Sequence, residues 1–177
     1  AALVDAMGGP GGTMHARNSG AEVAAPLTAG APGSETGALS LGSDRFGYIP
    51  HDPSYEVLYG TVAMWVRPMS IDGRQTFLAK DESGSDDGGH LRVGLDAGRL
   101  SFRVAPGDGG GNHAFRTNDV VFTPGEWSHV ALTFGPSGVT AQVNGTVIAD
   151  DAFTQIEGRN DTPATYTEYH LLTNDKP

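Results

Sequence analysis

Gly60-Thr-Val-Ala-Met-Trp-Val-Arg67 and Trp127-Ser-His-Val-Ala-Leu-Thr-Phe134 decide the fold class. Val62, Met64 and Val66 fall on one face of the first run, and Val130, Leu132 and Phe134 on one face of the second. Successive Cβ atoms of a strand point to opposite sides, so apolar residues at every second position mark a strand that is buried on one side only. Working outward, Gln75-Thr-Phe-Leu-Ala-Lys80, His90-Leu-Arg-Val-Gly-Leu95, Arg99-Leu-Ser-Phe-Arg-Val104 and Gly138-Val-Thr-Ala-Gln-Val143 are further short runs, each closed by Gly, Asp or Pro. Val143-Asn-Gly-Thr-Val147 carries an Asn-Gly turn, whose positive φ angles match the twist of the strands it joins. The expected fold is all-β, a two-sheet antiparallel sandwich. Val62, Met64, Val66, Leu91, Val93, Phe102, Val130, Leu132, Phe134 and Val143 are expected between the sheets. A slip of one residue would exchange the two faces of a strand, so this list is a sharp expectation.

Toward the N-terminus the pattern fades. Residues 1–35 are rich in Gly and Ala and include Gly8-Gly-Pro-Gly-Gly12, which suits irregular backbone and reads as a lead-in to a sandwich spanning residues 36–177. Within it, Ala21-Glu-Val-Ala-Ala-Pro-Leu-Thr28 reads as a short extended piece along an edge. Gly37-Ala-Leu-Ser-Leu41 and Arg45-Phe-Gly-Tyr-Ile49 read as strands across a Gly-Ser-Asp turn, and Asp52-Pro53 predicts a single helical turn. Toward the C-terminus, residues 151–164 read as a polar connection, and Thr165-Tyr-Thr-Glu-Tyr-His-Leu-Leu172 as a last strand.

Composition narrows the function classes. The formal charge of −10, with nine Arg and only two Lys on the positive side, lacks the basic footprint that nucleic acid requires. With no cysteine, the chain has no disulfide framework and no thiolate metal site. No apolar run approaches the roughly 20 residues of a membrane helix, so membrane insertion is not expected. Ala1-Ala-Leu-Val-Asp5 has no basic n-region of a signal peptide, and the chain reads as a mature form or a domain of a larger secreted or surface protein.

Gly37-Ala-Leu-Ser-Leu41, Tyr48-Ile-Pro-His-Asp-Pro-Ser54, Thr61-Val-Ala-Met-Trp-Val-Arg-Pro68, Leu78-Ala-Lys80, Gly125-Glu-Trp-Ser-His-Val-Ala131 and Val143-Asn-Gly145 come in a telling order. Together they resemble the laminin-G-like, concanavalin A-like jelly rolls, a group that includes the pentraxins. The resemblance implies two antiparallel sheets, one of them concave, with ligand or Ca²⁺ sites on rim loops or on the concave face. It also implies that Ala63 and Ala131 are neighbours, since pentraxins place a disulfide at the matching positions. Two departures stand out. Only Leu3-Val-Asp5 could represent the family's N-terminal strand, and no closing strand of the type Gly-x-Ile-Asp-Asp-Val follows Leu172. The missing strand is expected beyond Pro177 or from a partner chain or domain, because residues 1–36 look too Gly-rich for a good central strand.

Candidate sites follow. The resemblance places a calcium-binding pair of pentraxin-like domains in the loop Asp81-Glu-Ser-Gly-Ser-Asp-Asp-Gly-Gly89. Asp86 and Asp87, with Asp81 or Asn174 and Asp175 nearby, are therefore the expected Ca²⁺ ligands; the alternative is a solvated acidic turn. By alternation Trp65, Arg67, Arg92, Arg103, His129 and Gln142 lie off the core side. An aromatic ring beside Arg, His and Gln suits a glycan or polysaccharide, with the ring on the sugar's C–H face and planar donors on its oxygens. The arginines in an otherwise acidic chain lean this toward acidic sugars. The alternative is a structural Trp65 covered by loops. Catalysis is not expected: the Glu-x-Asp-x-x-Glu strand of glycosidases on this jelly roll is absent. The histidines show no zinc-ligand spacing, and Gly107-Asp-Gly-Gly-Gly-Asn112 lacks the Gly-Lys-Ser/Thr ending of a phosphate loop. The expected function is a non-catalytic, Ca²⁺-assisted carbohydrate-binding or adhesion module. A structural spacer in an adhesin, fibre or spike is the competing class, and a polysaccharide-degrading enzyme on the same fold the more distant one.

Overall fold

Buried N–H and C=O groups must find partners, and in the computed structural model of the chain they do so through antiparallel ladders. The structure describes residues 11–34, 37–80, 90–105, 112–158 and 161–165. The chain divides into two compact units, residues 1–53 with 175–177, and residues 54–174.

In the first unit, the strands are β1 (Thr13–Ala16), β2 (Glu22–Val23), β3 (Leu27–Thr28), β4 (Ala38–Leu39) and β5 (Arg45–Tyr48). The order β2-β1-β5 makes β1 the central strand of a three-stranded sheet, with Met14 fully buried. This corrects the expectation that the Gly-rich segment could not supply a central strand. The glycine run ends at Gly12, and Thr13-Met-His-Ala16 contains neither Gly nor Pro. The chain then reverses through Gly20, whose φ of 64° and whose N–H donating to the Ala16 carbonyl at 2.8 Å close the turn into β2. β2 is an edge piece, as anticipated. β4 and β5 both form, but not as a pair: β4 lies against β3, and β5 against β1.

A single 3₁₀ turn forms at Pro53–Tyr55. The second unit then runs through β6 (Gly60–Val66), β7 (Arg74–Lys80), β8 (His90–Asp96), β9 (Arg99–Ala105), β10 (His113–Thr117), β11 (Ser128–Gly135), β12 (Gly138–Val143), β13 (Thr146–Val147) and β14 (Phe153–Glu157). These make two sheets, β14-β10-β9-β8-β7 and β13-β12-β11-β6. One core holds the inward side chains of both: Leu91, Val93, Phe102 and Phe115 from the first, Val130, Leu132, Phe134 and Val143 from the second. All ten positions expected between the sheets are either in this core or packed on it. Val62, Met64 and Val66 are the partly buried ones, because β6 lies at the end of its sheet's described order.

The Asn144-Gly145 turn has φ of 52° and 79°, the paired positive values of a type I′ hairpin. Asn144 also extends the ladder on its other side. Its N–H donates to the His129 carbonyl and its Oδ1 accepts from the His129 N–H, both at 2.8 Å. Residues 151–164 are not merely a connection. They contain β14, which pairs with β10 across a bulge at Ala114/Phe115. Phe153-Thr-Gln-Ile-Glu157 reads as polar because it ends the described order of its sheet, with Phe153 packed on the core and Thr154 and Ile156 exposed. Leu3-Val-Asp5 and the run 166–172 lie outside the described residues.

Candidate functional site

The outer face of the four-stranded sheet follows from its register. Trp65 stands opposite His129, Ala63 opposite Ala131, and Thr61 opposite Thr133, with Ala131 in turn opposite Gln142. Alternation sends Met64 and Val130 into the core, so their neighbours Trp65 and His129 point outward together. Their ring centroids are 5.2 Å apart at 60°. Trp65 is 48 % exposed, so about half of its surface is open to solvent. The floor beside it is low, made by the small side chains of Ala63, Ala131, Thr61, Thr133 and Thr140, with Gln142 half-buried among them. Thr61 and Thr133 share a hydroxyl hydrogen bond of 2.9 Å, which holds the far row in place. The strand rows of this surface offer one large ring, one imidazole and one amide. The surface can stack on an apolar ligand face and pair with hydroxyls, and its strand rows contribute no carboxylate.

Arg67 and Trp127 lie just past the ends of β6 and β11. The Arg67 guanidinium sits 5.1 Å from the centre of the Trp127 ring, a cation–π contact at the same end as Trp65 and His129.

Arg92 and Arg103 are elsewhere, so the six residues, which alternation alone does not divide between two outer faces, do not share one face. Arg92 lies between the core residues Leu91 and Val93, and Arg103 between Phe102 and Val104. Both therefore point outward from the five-stranded sheet, and the core separates them from Trp65. Alternation identifies a non-core side chain but cannot say which of two sheets it leaves. On that second face Arg92 stands opposite Arg103, with Arg116 and Arg74 on the flanking strands. Arg116 donates to Asp96 at 3.0 Å, and Arg103 lies 3.8 Å from Glu157. Burial lowers the Arg92 pKa, and the nearby positive charges of Arg74 and Arg103 lower it further. Arginine stays charged regardless, so the shift signals a cation held in a place that disfavours cations.

Arg74 and Arg116 were missed at the level of sequence. The pair Phe115-in, Arg116-out carries the needed signal, but 113–117 has only that one clear alternation. A ring cluster in the first unit was also missed. His15 stacks on Phe46 with centroids 5.6 Å apart and meets the edge of Tyr48 at 5.6 Å. Its Nδ1 donates to the Gly20 carbonyl at 2.8 Å, since a carbonyl can only accept, and its Nε2 lies 2.6 Å from Thr13 Oγ1.

The expected calcium ligands Asp81, Asp86, Asp87, Asn174 and Asp175 lie outside the described residues. Among the described residues, no group of three or more His, Asp or Glu side chains is placed to hold a metal ion.

Residues 41–168 match the family model of the concanavalin A-like lectin/glucanases superfamily. The chain belongs to that superfamily, and the sandwich described above is its fold. No curated protein matches the chain.

Proposed function

We propose that this domain is a non-catalytic glycan-recognition module of a secreted or surface protein, binding sugar on the outer face of the four-stranded sheet. The observation that carries the reading is the exposed Trp65 ring, set beside His129 and Gln142 on a floor of small side chains. A domain serving only as a spacer has no use for a large ring held in water on a strand face, where burial would stabilise it. A strand face without carboxylates supports binding rather than hydrolysis, since glycosidases need two.

A glycan array followed by calorimetry tests this. A sugar ring covering roughly 60 Å² of indole at about 25 cal/mol per Å² gains about 1.5 kcal/mol, so Trp65→Ala is expected to weaken binding about tenfold. Unchanged affinity in that variant moves the site off this face, and an array without hits favours the spacer.

Calcium belongs to the proposal through the resemblance alone. A divalent ion that relieves repulsion between Asp86 and Asp87 binds only the folded chain, so it is expected to raise the melting temperature, with Asp87→Ala abolishing the rise. Identical melting in calcium and in chelator, at matched ionic strength, removes the ion from the reading.

A further inference from the structure

Ser101 lies at the middle of the arginine-bearing face. Leu100 and Phe102 on either side point into the core, so Ser101 points outward, yet it is 0 % exposed. Its Oγ has no hydrogen-bond partner among the described residues. Folded proteins rarely leave a dry hydroxyl unpaired, because it has given up water for nothing in return.

The surroundings of that hydroxyl are cationic. Five of the chain's nine arginines, at 74, 92, 99, 103 and 116, are carried at outward positions of β7 to β10, in a protein of formal charge −10. Asp96 and Glu157 offset only part of this. Arg116 stands directly opposite Ser101 on β10, and Gly94 opposite it on β8. Gly94 puts no side chain of its own between Ser101 and Thr76, and a Cβ there would come within 2.0 Å of the Gln75 carbonyl oxygen. Arg92 reaches into this row, its Nη1 3.4 Å from Thr76 Oγ1. Arg116 spends Nη1 on Asp96 and keeps Nε and Nη2 for another acceptor.

We infer that this face is an oxyanion-binding site, separate from the Trp65 surface, in which Arg92 and Arg116 clasp a sulfate or carboxylate group and Ser101 Oγ donates to it. The ligand class is an acidic saccharide bearing a sulfate ester or a uronic carboxylate. The sugar part rests on the glycan reading; the anion part does not. Two guanidinium forks give the planar, charge-assisted contacts such groups demand, and the bound charge relieves the crowding of cations around Arg92. Ser101 is fully covered, so the anion reaches its Oγ only when what covers it moves aside.

Titrations with sodium sulfate, sodium glucuronate and neutral glucose, against chloride at matched ionic strength, test the site. The readout is the NMR signals of the arginine Nε–H groups and of the Gly94 and Ser101 amides. Saturable shifts with sulfate, glucuronate or both are expected, and the arm that saturates names the anion. Trp65→Ala is expected to leave this binding unchanged, while Arg92→Gln and Arg116→Gln each weaken it about tenfold or more. Arg92→Lys keeps the charge and loses the fork, so it is expected to bind more weakly than wild type even if a Gln variant fails to fold. Ser101→Ala is expected to weaken binding without lowering the melting temperature of the ligand-free protein. Absence of saturation with both anions, or equal affinity in the wild type and the Arg92→Lys and Arg116→Gln proteins, overturns the site. Loss of anion binding in Trp65→Ala overturns its separateness. Failure of sugar binding alone counts against the other face and leaves this one standing.

Discussion

Phe102→Ala is expected to lower the unfolding free energy by about 3–5 kcal/mol, the range for deleting a fully buried ring. Phe102 is 0 % exposed and joins three strands. Its ring lies 5.2 Å from that of Phe115 on β10 at 34°, and 5.7 Å from that of Phe153 on β14 at 73°. The substitution removes the transfer free energy of the ring and leaves a cavity in a close-packed interior. It also strips β14 of a neighbour, and that strand reaches the core through Phe153. A domain of this size has only about 5–15 kcal/mol in total, so a large part of its stability is at stake. Urea denaturation checks this through a lowered midpoint at unchanged slope. A midpoint near wild type would mean that the rings are not packed as described.

Gly94→Ala is the second large effect, and its cause is steric. The new Cβ would sit 2.0 Å from the Gln75 carbonyl oxygen, 3.0 Å from its carbon and 3.1 Å from the Thr76 Cα. These are backbone atoms of β7, held in the ladder with β8, so no flexible side chain can yield. The register shift between Thr76 and Leu78 brings β7 this close. Either the bulge or the β7–β8 pairing must give way, at a cost at the top of the roughly 1–3 kcal/mol of ordinary overpacking or beyond it. Gly135→Ala is the matched control, because nothing lies within 4 Å of its Cβ position and its φ is not in the positive range. The same denaturation series is expected to show a large drop for the first and little change for the second. Equal midpoints would remove the bulge as the reason for this glycine.

Wherever a run of residues has one wet and one dry side, the sequence by itself settled the matter. Period-two alternation in 60–67 and 127–134 is enough to set which residues enter the core, because adjacent side chains of a strand cannot share a face. Asn144-Gly145 determined its own turn, since few residues accept two successive positive φ angles. The pairing of Trp65 with His129 was legible too, through the resemblance that set Ala63 against Ala131.

Three features needed the tertiary structure. The polar strand Phe153–Glu157 has too little apolar content to announce itself, and it becomes a strand by pairing with β10. Thr13–Ala16 is short and follows a glycine run, and it becomes central only when β2 and β5 flank it. Arg92 and Arg103 share the parity of Trp65 and His129, but alternation measures direction relative to a strand's own sheet. Only the packing of one sheet on the other sends the arginines and the indole to opposite sides of the core, and so divides residues that alternation alone could not assign to a face.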